Sequence, residues 1–136
     1  MVAPKRYAVV DFETTGFGST DRVIEIGVVL LDHNRDVEST WETLVQPQRD
    51  IPNSFVHRIT PTDVVDAPLF GEVAGEFFEL LNGRTVVAHN APFEVRFLQR
   101  EFSSLGVAWP NYGAWVVDTK RLFQQTYPGE GATLEQ

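Results

Sequence analysis

The chain of 136 residues has no cysteine, which excludes disulfides and a thiol nucleophile and fits a reducing compartment. It is also short of positive charge. Eleven Lys and Arg stand against nineteen Asp and Glu, a formal net charge of −8. That balance argues against gripping duplex DNA through its phosphates, which relies on clustered Lys and Arg. It leaves room for an enzyme that holds a few nucleotides through metal ions, whose charge offsets part of the acidic excess. No apolar run reaches membrane-spanning length. The Met-Val-Ala-Pro-Lys-Arg start leaves only four positions before Asp11, too few for the apolar core of a signal peptide. No internal repeat and no Ser/Gly-rich linker divides the chain. With 43% hydrophobic residues, these absences predict one soluble, cytoplasmic globular domain over 1–136.

Periodicity supplies the elements. Residues 6–13 read as a first strand, 23–31 as a very apolar second, and 32–36 as a hairpin loop. Val37, Trp41 and Val45 mark one face of a third, edge-like strand that Pro47 and Pro52 end. Phe70, Val73, Ala74, Phe77, Phe78 and Leu81 recur at helical spacing, and Asn82-Gly83 stops that helix. A fourth strand over 84–88 precedes a helix over 91–104, with Asn90 as its expected N-cap, Pro92 in its first turn, and Phe93, Phe97 and Leu98 packing inward. Residues 115–117 form a short fifth strand, Asp118 caps a helix to about Thr126, and Thr133 caps the start of another. Three antiparallel-capable strands followed by β–α–β units predict an α/β fold: a mixed five-stranded sheet, order 3-2-1-4-5, with helices on both faces.

Carboxylates stand where two of these strands stop. Asp11 and Glu13 are two apart and so share a strand face. Glu94 falls in the first turn of the helix after strand four. The right-handed crossover brings all three to the point where strand order switches, the usual place for a site in such sheets. Converging carboxylates repel one another unless a cation neutralises them, and hard, oxygen-seeking Mg²⁺ or Mn²⁺ suits them. Glu25 interrupts an apolar strand and reads as a structural group away from the metal end.

The segments Asp-Phe-Glu-Thr-Thr-Gly (11–16), Val-Ile-Glu-Ile-Gly (23–27), Phe-Val-His-Arg-Ile-Thr (55–60), Ala-His-Asn-Ala-Pro-Phe (88–93) and Val-Asp-Thr (117–119) stand in one order. In this the chain resembles the exonuclease family of the proofreading epsilon subunit of bacterial DNA polymerase III, the DEDDh-type 3′–5′ exonucleases. That resemblance implies a ribonuclease H-like fold and two-metal-ion hydrolysis of DNA from the 3′ end to nucleoside 5′-monophosphates. It places the metal ions on Asp11, Glu13 and Glu94. It sets Gly16 and the backbone of Thr14 and Thr15 against the terminal nucleotide, with Phe17 as an apolar wedge beside the 3′ base. His57, His89 and Asn90 become substrate contacts, and Arg58, in place of the common Gly, a further phosphate contact. The implied partners are a single-stranded 3′ end, DNA preferred, and a polymerase subunit, with no membrane.

Two departures qualify the resemblance. The second motif ordinarily ends in Asp, and here Glu94 carries one more methylene. The third motif, H-x-A-x-x-D, which supplies the general base and a fourth carboxylate, is absent from the sequence. The C-terminal helices are therefore expected to be missing, and little activity is expected of the 136 residues alone. Two alternatives stay open: an RNA-trimming exonuclease of the same fold, and a non-catalytic module that binds 3′ ends or a polymerase subunit.

Overall fold

A computed structural model describes residues 5–107 and 116–126. Five strands, β1 (Tyr7–Thr14), β2 (Val23–Leu31), β3 (Val37–Leu44), β4 (Thr85–Ala88) and β5 (Val116–Asp118), form one sheet in the order β3-β2-β1-β4-β5. The first three are antiparallel neighbours, and β4 and β5 run parallel to β1. This is the predicted mixed sheet. The helices are α1 (Ser54–His57), α2 (Phe70–Leu81), α3 (Ala91–Ser104) and α4 (Thr119–Thr126). The predicted Thr133 cap and the Trp115 end of strand five lie outside the described residues.

Alternation decides which face is covered. Ala8, Val10 and Phe12 of β1, Ile26, Val28 and Leu30 of β2, and Val86 of β4 are buried on one side. There they meet Phe70, Ala74, Phe77 and Leu81 of α2 and Phe97, Leu98 and Phe102 of α3. Phe77 is the hub, edge-on to Phe12 and stacked at 6.0 Å on Trp41 of the edge strand. The other side of the sheet carries Tyr7, Val9, Val29, Leu31 and Val87, which are half-buried. A second small core of Ile24, Ile51, Ile59 and Val64 anchors the long connection from β3 to α2.

The helical spacing from Phe70 to Leu81 is realised from its first apolar residue to its last. Residues 61–66 are turns, and α2 starts at Phe70, where the Glu72 carboxylate accepts the Leu69 N–H at 2.9 Å. Gly83, at φ +75°, takes up the left-handed turn after the helix.

Candidate active site

Strand register assembles the site. In the parallel pair β1–β4, Val9 lies level with Val87, and Asp11 and His89 each follow two residues beyond this last paired position. In β4–β5, Ala88 lies level with Asp118. The ends of three strands and the start of α3 thus converge on one cavity of about 250 Å³. Its lining includes Asp11, Glu13, Thr14, Phe17, Asn90 and Glu94, and also His57 and His89.

Asp11 is exposed, Glu13 is half-buried, and Glu94 is only 3% exposed. The Phe12 backbone bonds to the Glu94 carboxylate, yet Glu94 Oε2 is buried without a hydrogen-bond partner. Burial first, and then the negative charges of Asp11 and Glu13, push the Glu94 carboxyl up to about 9. Among the described residues, no three His, Asp or Glu side chains have closed into a set that holds a metal ion as they stand. The donor set fits a hard divalent cation all the same. A sequestered carboxylate oxygen with no donor, in the field of two further carboxylates, needs either a proton or a cation.

Glu25 is nearer this group than its reading as a remote structural acid allowed. The hairpin between β1 and β2 pairs Glu13 directly with Glu25. Residues opposite each other in an antiparallel pair share a face. Burial, then Glu42, then Asp11 raise the Glu25 carboxyl above its ordinary range. A register shift between Glu13 and Thr14 places it there; an unbroken ladder from the 15–22 turn would set Ile24 opposite Glu13.

Several expected contacts take other roles. Thr15 and Gly16 do not line the cavity. Thr15 is 1% exposed, and its hydroxyl donates to Asp21 Oδ1 at 2.6 Å while accepting the Arg22 N–H. A Cβ at Gly16 would lie 2.6 Å from Asp21 Oδ2, so the glycine makes room for this loop-closing carboxylate. Arg58 is also outside the lining. It sits at φ +65° as the C-cap of α1, a left-handed position that favours glycine. Asn90 is not a side-chain cap. It is left-handed at φ 78° and makes no side-chain cap bond. Asp118 does that work instead. Its Oδ1 accepts from Asn90 N, Lys120 N and Arg121 N, and Ala91 N also bonds the carboxylate, so one group serves the starts of both α3 and α4. This matches its predicted capping of α4 and extends it to α3.

His57 is oriented rather than loose. Its Nδ1 accepts the Ile59 N–H at 3.0 Å, which leaves Nε2 protonated toward Asn53 Oδ1 at 3.1 Å. Asn53 Nδ2 in turn donates to the Thr14 carbonyl, tying α1 to the end of β1. His89 Nδ1 pairs with Thr119 Oγ1 at 3.1 Å. Asn53, Val56 and Lys120 also line the cavity, as does Phe93, and the motifs did not single out the first three. Phe93, expected to pack inward, divides its surface between the core and the cavity rim. Its ring lies 5.4 Å from that of Phe17, which is 78% exposed.

Comparison with known proteins agrees with this geometry. The chain is 40% identical over 125 residues to the PolC-type DNA polymerase III of Caldanaerobacter subterraneus, covering 89% of this chain and 9% of that one. It is 35% identical over 141 residues to the DNA polymerase III epsilon subunit of Pasteurella multocida, covering 97% of this chain and 56% of the subunit. The chain thus spans little more than half the length of that relative. In structure it is similar to the nuclease domain of 3′hExo, a DEDDh family member bound to rAMP (TM-score 0.75, 18% identity, 93% of this chain and 72% of that one). It is also similar to product-bound exonuclease I (TM-score 0.82, 15% identity, 95% and 34%), a likeness of fold. The exonuclease family model RNase_T matches residues 8–136. With nearly its whole length matched and its acidic residues at the strand ends, this chain belongs to the RNase_T exonuclease family, as a domain homologous to DNA polymerase III epsilon.

Proposed function

We propose that this domain is a metal-dependent 3′–5′ exonuclease that releases nucleoside 5′-monophosphates from single-stranded DNA ends. The observation that carries the reading is Glu94, whose Oε2 is buried without a partner while the charges of Asp11 and Glu13 act on its carboxyl, in a cavity that Phe17 and Phe93 also line. Asp11, Glu13 and Glu94 would hold Mg²⁺ or Mn²⁺. Such ions, when bound, supply an activated water and neutralise charge on the scissile phosphate. Glu25, opposite Glu13, adds to the negative potential that draws cations to this end of the sheet. Phe17 and Phe93 offer a stacking surface for the terminal base, tolerant of sequence because every base has a π-face. Asn53 and His57 hold the α1 wall against the Thr14 carbonyl and keep the opening at a fixed width.

The preference for DNA and a polymerase partner in the cytoplasm are part of the same proposal. They rest on relatives named as DNA polymerase III subunits. No helix among the described residues is long and apolar enough to cross a membrane.

Titration with Mn²⁺ during thermal unfolding tests the core of the reading. The parent should gain stability by mass action, about 2.7 kcal/mol at a hundredfold excess over Kd. Asp11→Asn should lose that gain. Equal responses in the two proteins would remove the proposed metal site, and with it the mechanism.

A further inference from the structure

We propose that the outer face of α3 continues the substrate path beyond the carboxylate cavity, and that Arg96 holds a phosphate of the single strand there, 5′ to the terminal nucleotide. The inference deepens the exonuclease reading and rests on it. Phe93, Arg96 and Arg100 are spaced i, i+3, i+7, and so fall on one helix face. At about 1.5 Å per residue, Arg96 is about 4.5 Å further along the axis than Phe93. Its guanidinium carbon lies 5.8 Å from the Phe93 ring centroid, on the ring that Phe17 meets at the cavity rim. Beyond it opens a second groove of about 590 Å³, lined by Ser19, Thr20, Arg96, Gln99 and Arg100 among others. The two hollows share α3 as one wall and the loop after β1 as the other.

Charge within the groove favours an anion. Its two acids already have cations: Asp21 Oδ1 is 2.9 Å from Arg49, and Glu101 takes a bidentate pair from Arg22 at 2.8 Å. Arg100 serves the groove's architecture. Its Nη1 donates to the Gly18 carbonyl at 2.7 Å and its guanidinium lies 4.2 Å from the Phe97 centroid, fastening the loop that carries Phe17. Arg96, exposed, is thereby the cation presented to solvent, with the exposed Ser19, Thr20 and Gln99 as neutral donors around it. An aromatic pair followed by a cation, in a chain of net charge −8, suits a base followed by its phosphate. An acidic peptide would use the cation without the rings.

The test measures binding of a phosphorothioate oligothymidylate of about ten nucleotides, and of thymidine 5′-monophosphate, over a range of salt. Each phosphate neutralised on a single strand contributes about 0.7 to the slope of log K against log salt. Arg96→Ala should reduce the oligonucleotide slope by about 0.7 and weaken low-salt binding by about fivefold. Arg96→Lys should restore the slope, because a point charge suffices for a phosphate. Binding of the mononucleotide should be the same in all three proteins. An unchanged slope in Arg96→Ala, with mononucleotide binding intact, overturns the groove assignment and leaves the exonuclease reading standing. Failure of the parent to bind either nucleotide overturns both.

Discussion

The Glu94 carboxyl makes stability depend on pH in a direction opposite to that of Asp21, Glu38, Asp63 and Asp118. Its pKa rises from an ordinary 4.5 to about 9, so between those values the folded state keeps a proton that the unfolded chain has released. Stability from this group is therefore full below about pH 4.5 and is lost as pH climbs toward 9. Each unit in that window removes about 1.4 kcal/mol, and from pH 5 to pH 7 the loss is about 3 kcal/mol. Asp21, Glu38, Asp63 and Asp118 behave in the reverse sense. Their carboxyls are lowered, so their stabilisation is present above the ordinary carboxylate range and lost only in stronger acid. Across pH 5–7 they contribute a flat background. Glu25, raised by burial and by Glu42, adds to the Glu94 trend at the lower end.

Glu94→Gln isolates the effect, since the amide oxygen can keep the Phe12 backbone bond but cannot ionise. Urea unfolding of both proteins at pH 5 and pH 7, without divalent metal, should show the parent losing about 3 kcal/mol more than the variant. Saturating Mn²⁺ at pH 7 should return most of that loss to the parent and none to Glu94→Gln, because the cation replaces the proton. Equal pH slopes in the two proteins would mean that water reaches Glu94 freely. The buried, partnerless oxygen would then be no argument for a cation.

Two further variants probe what holds the site in place. Asp118→Ala should lower stability by about 1–2 kcal/mol in urea unfolding, at the upper end for a lost cap because the one carboxylate serves two helix starts. Asp118→Asn should recover about half. Glu101→Gln should cost about 2 kcal/mol by the same assay. It strips the Arg22 guanidinium of a bidentate partner that is 3% exposed, while Arg22 itself, 34% exposed, recovers some hydration.

The sheet order, the edge strand and the convergence of Asp11, Glu13 and Glu94 were legible because they depend on period and connectivity. Alternation sets the faces, and the handedness of the crossover sets where β4 lands. The roles of Thr15, Gly16 and Arg58 were not legible, because motif identity does not say whether a residue meets a ligand or closes a turn. Gly16 is required by the approach of Asp21, five residues away across a loop whose path no periodicity reveals.

Asn90 and Asp118 show the limit most sharply. An Asn before Ala-Pro at a helix start is a sound N-cap prediction from local sequence, since its short amide side chain reaches the first free N–H groups. The structure supplies a stronger acceptor from a strand 28 residues later, where the β4–β5 register sets Asp118 beside Ala88. An ionised carboxylate at two helix starts outcompetes a neutral amide, both as an acceptor and in the field of the helix dipoles. Released from capping, Asn90 adopts the left-handed conformation that Asn tolerates and becomes part of the cavity wall. The cap and the substrate-facing position are thus one decision made by a parallel strand pair, which no window of neighbouring residues contains. Glu25 is a second case of the same kind. With β1 ending at Thr14 and β2 beginning at Val23, an unbroken antiparallel return would set Ile24 opposite Glu13 and turn Glu25 to the other face; the register shift between Glu13 and Thr14 sets Glu25 opposite Glu13 instead. One extra residue in the ladder, which alternation along the apolar strand does not reveal, decides on which face that acid stands.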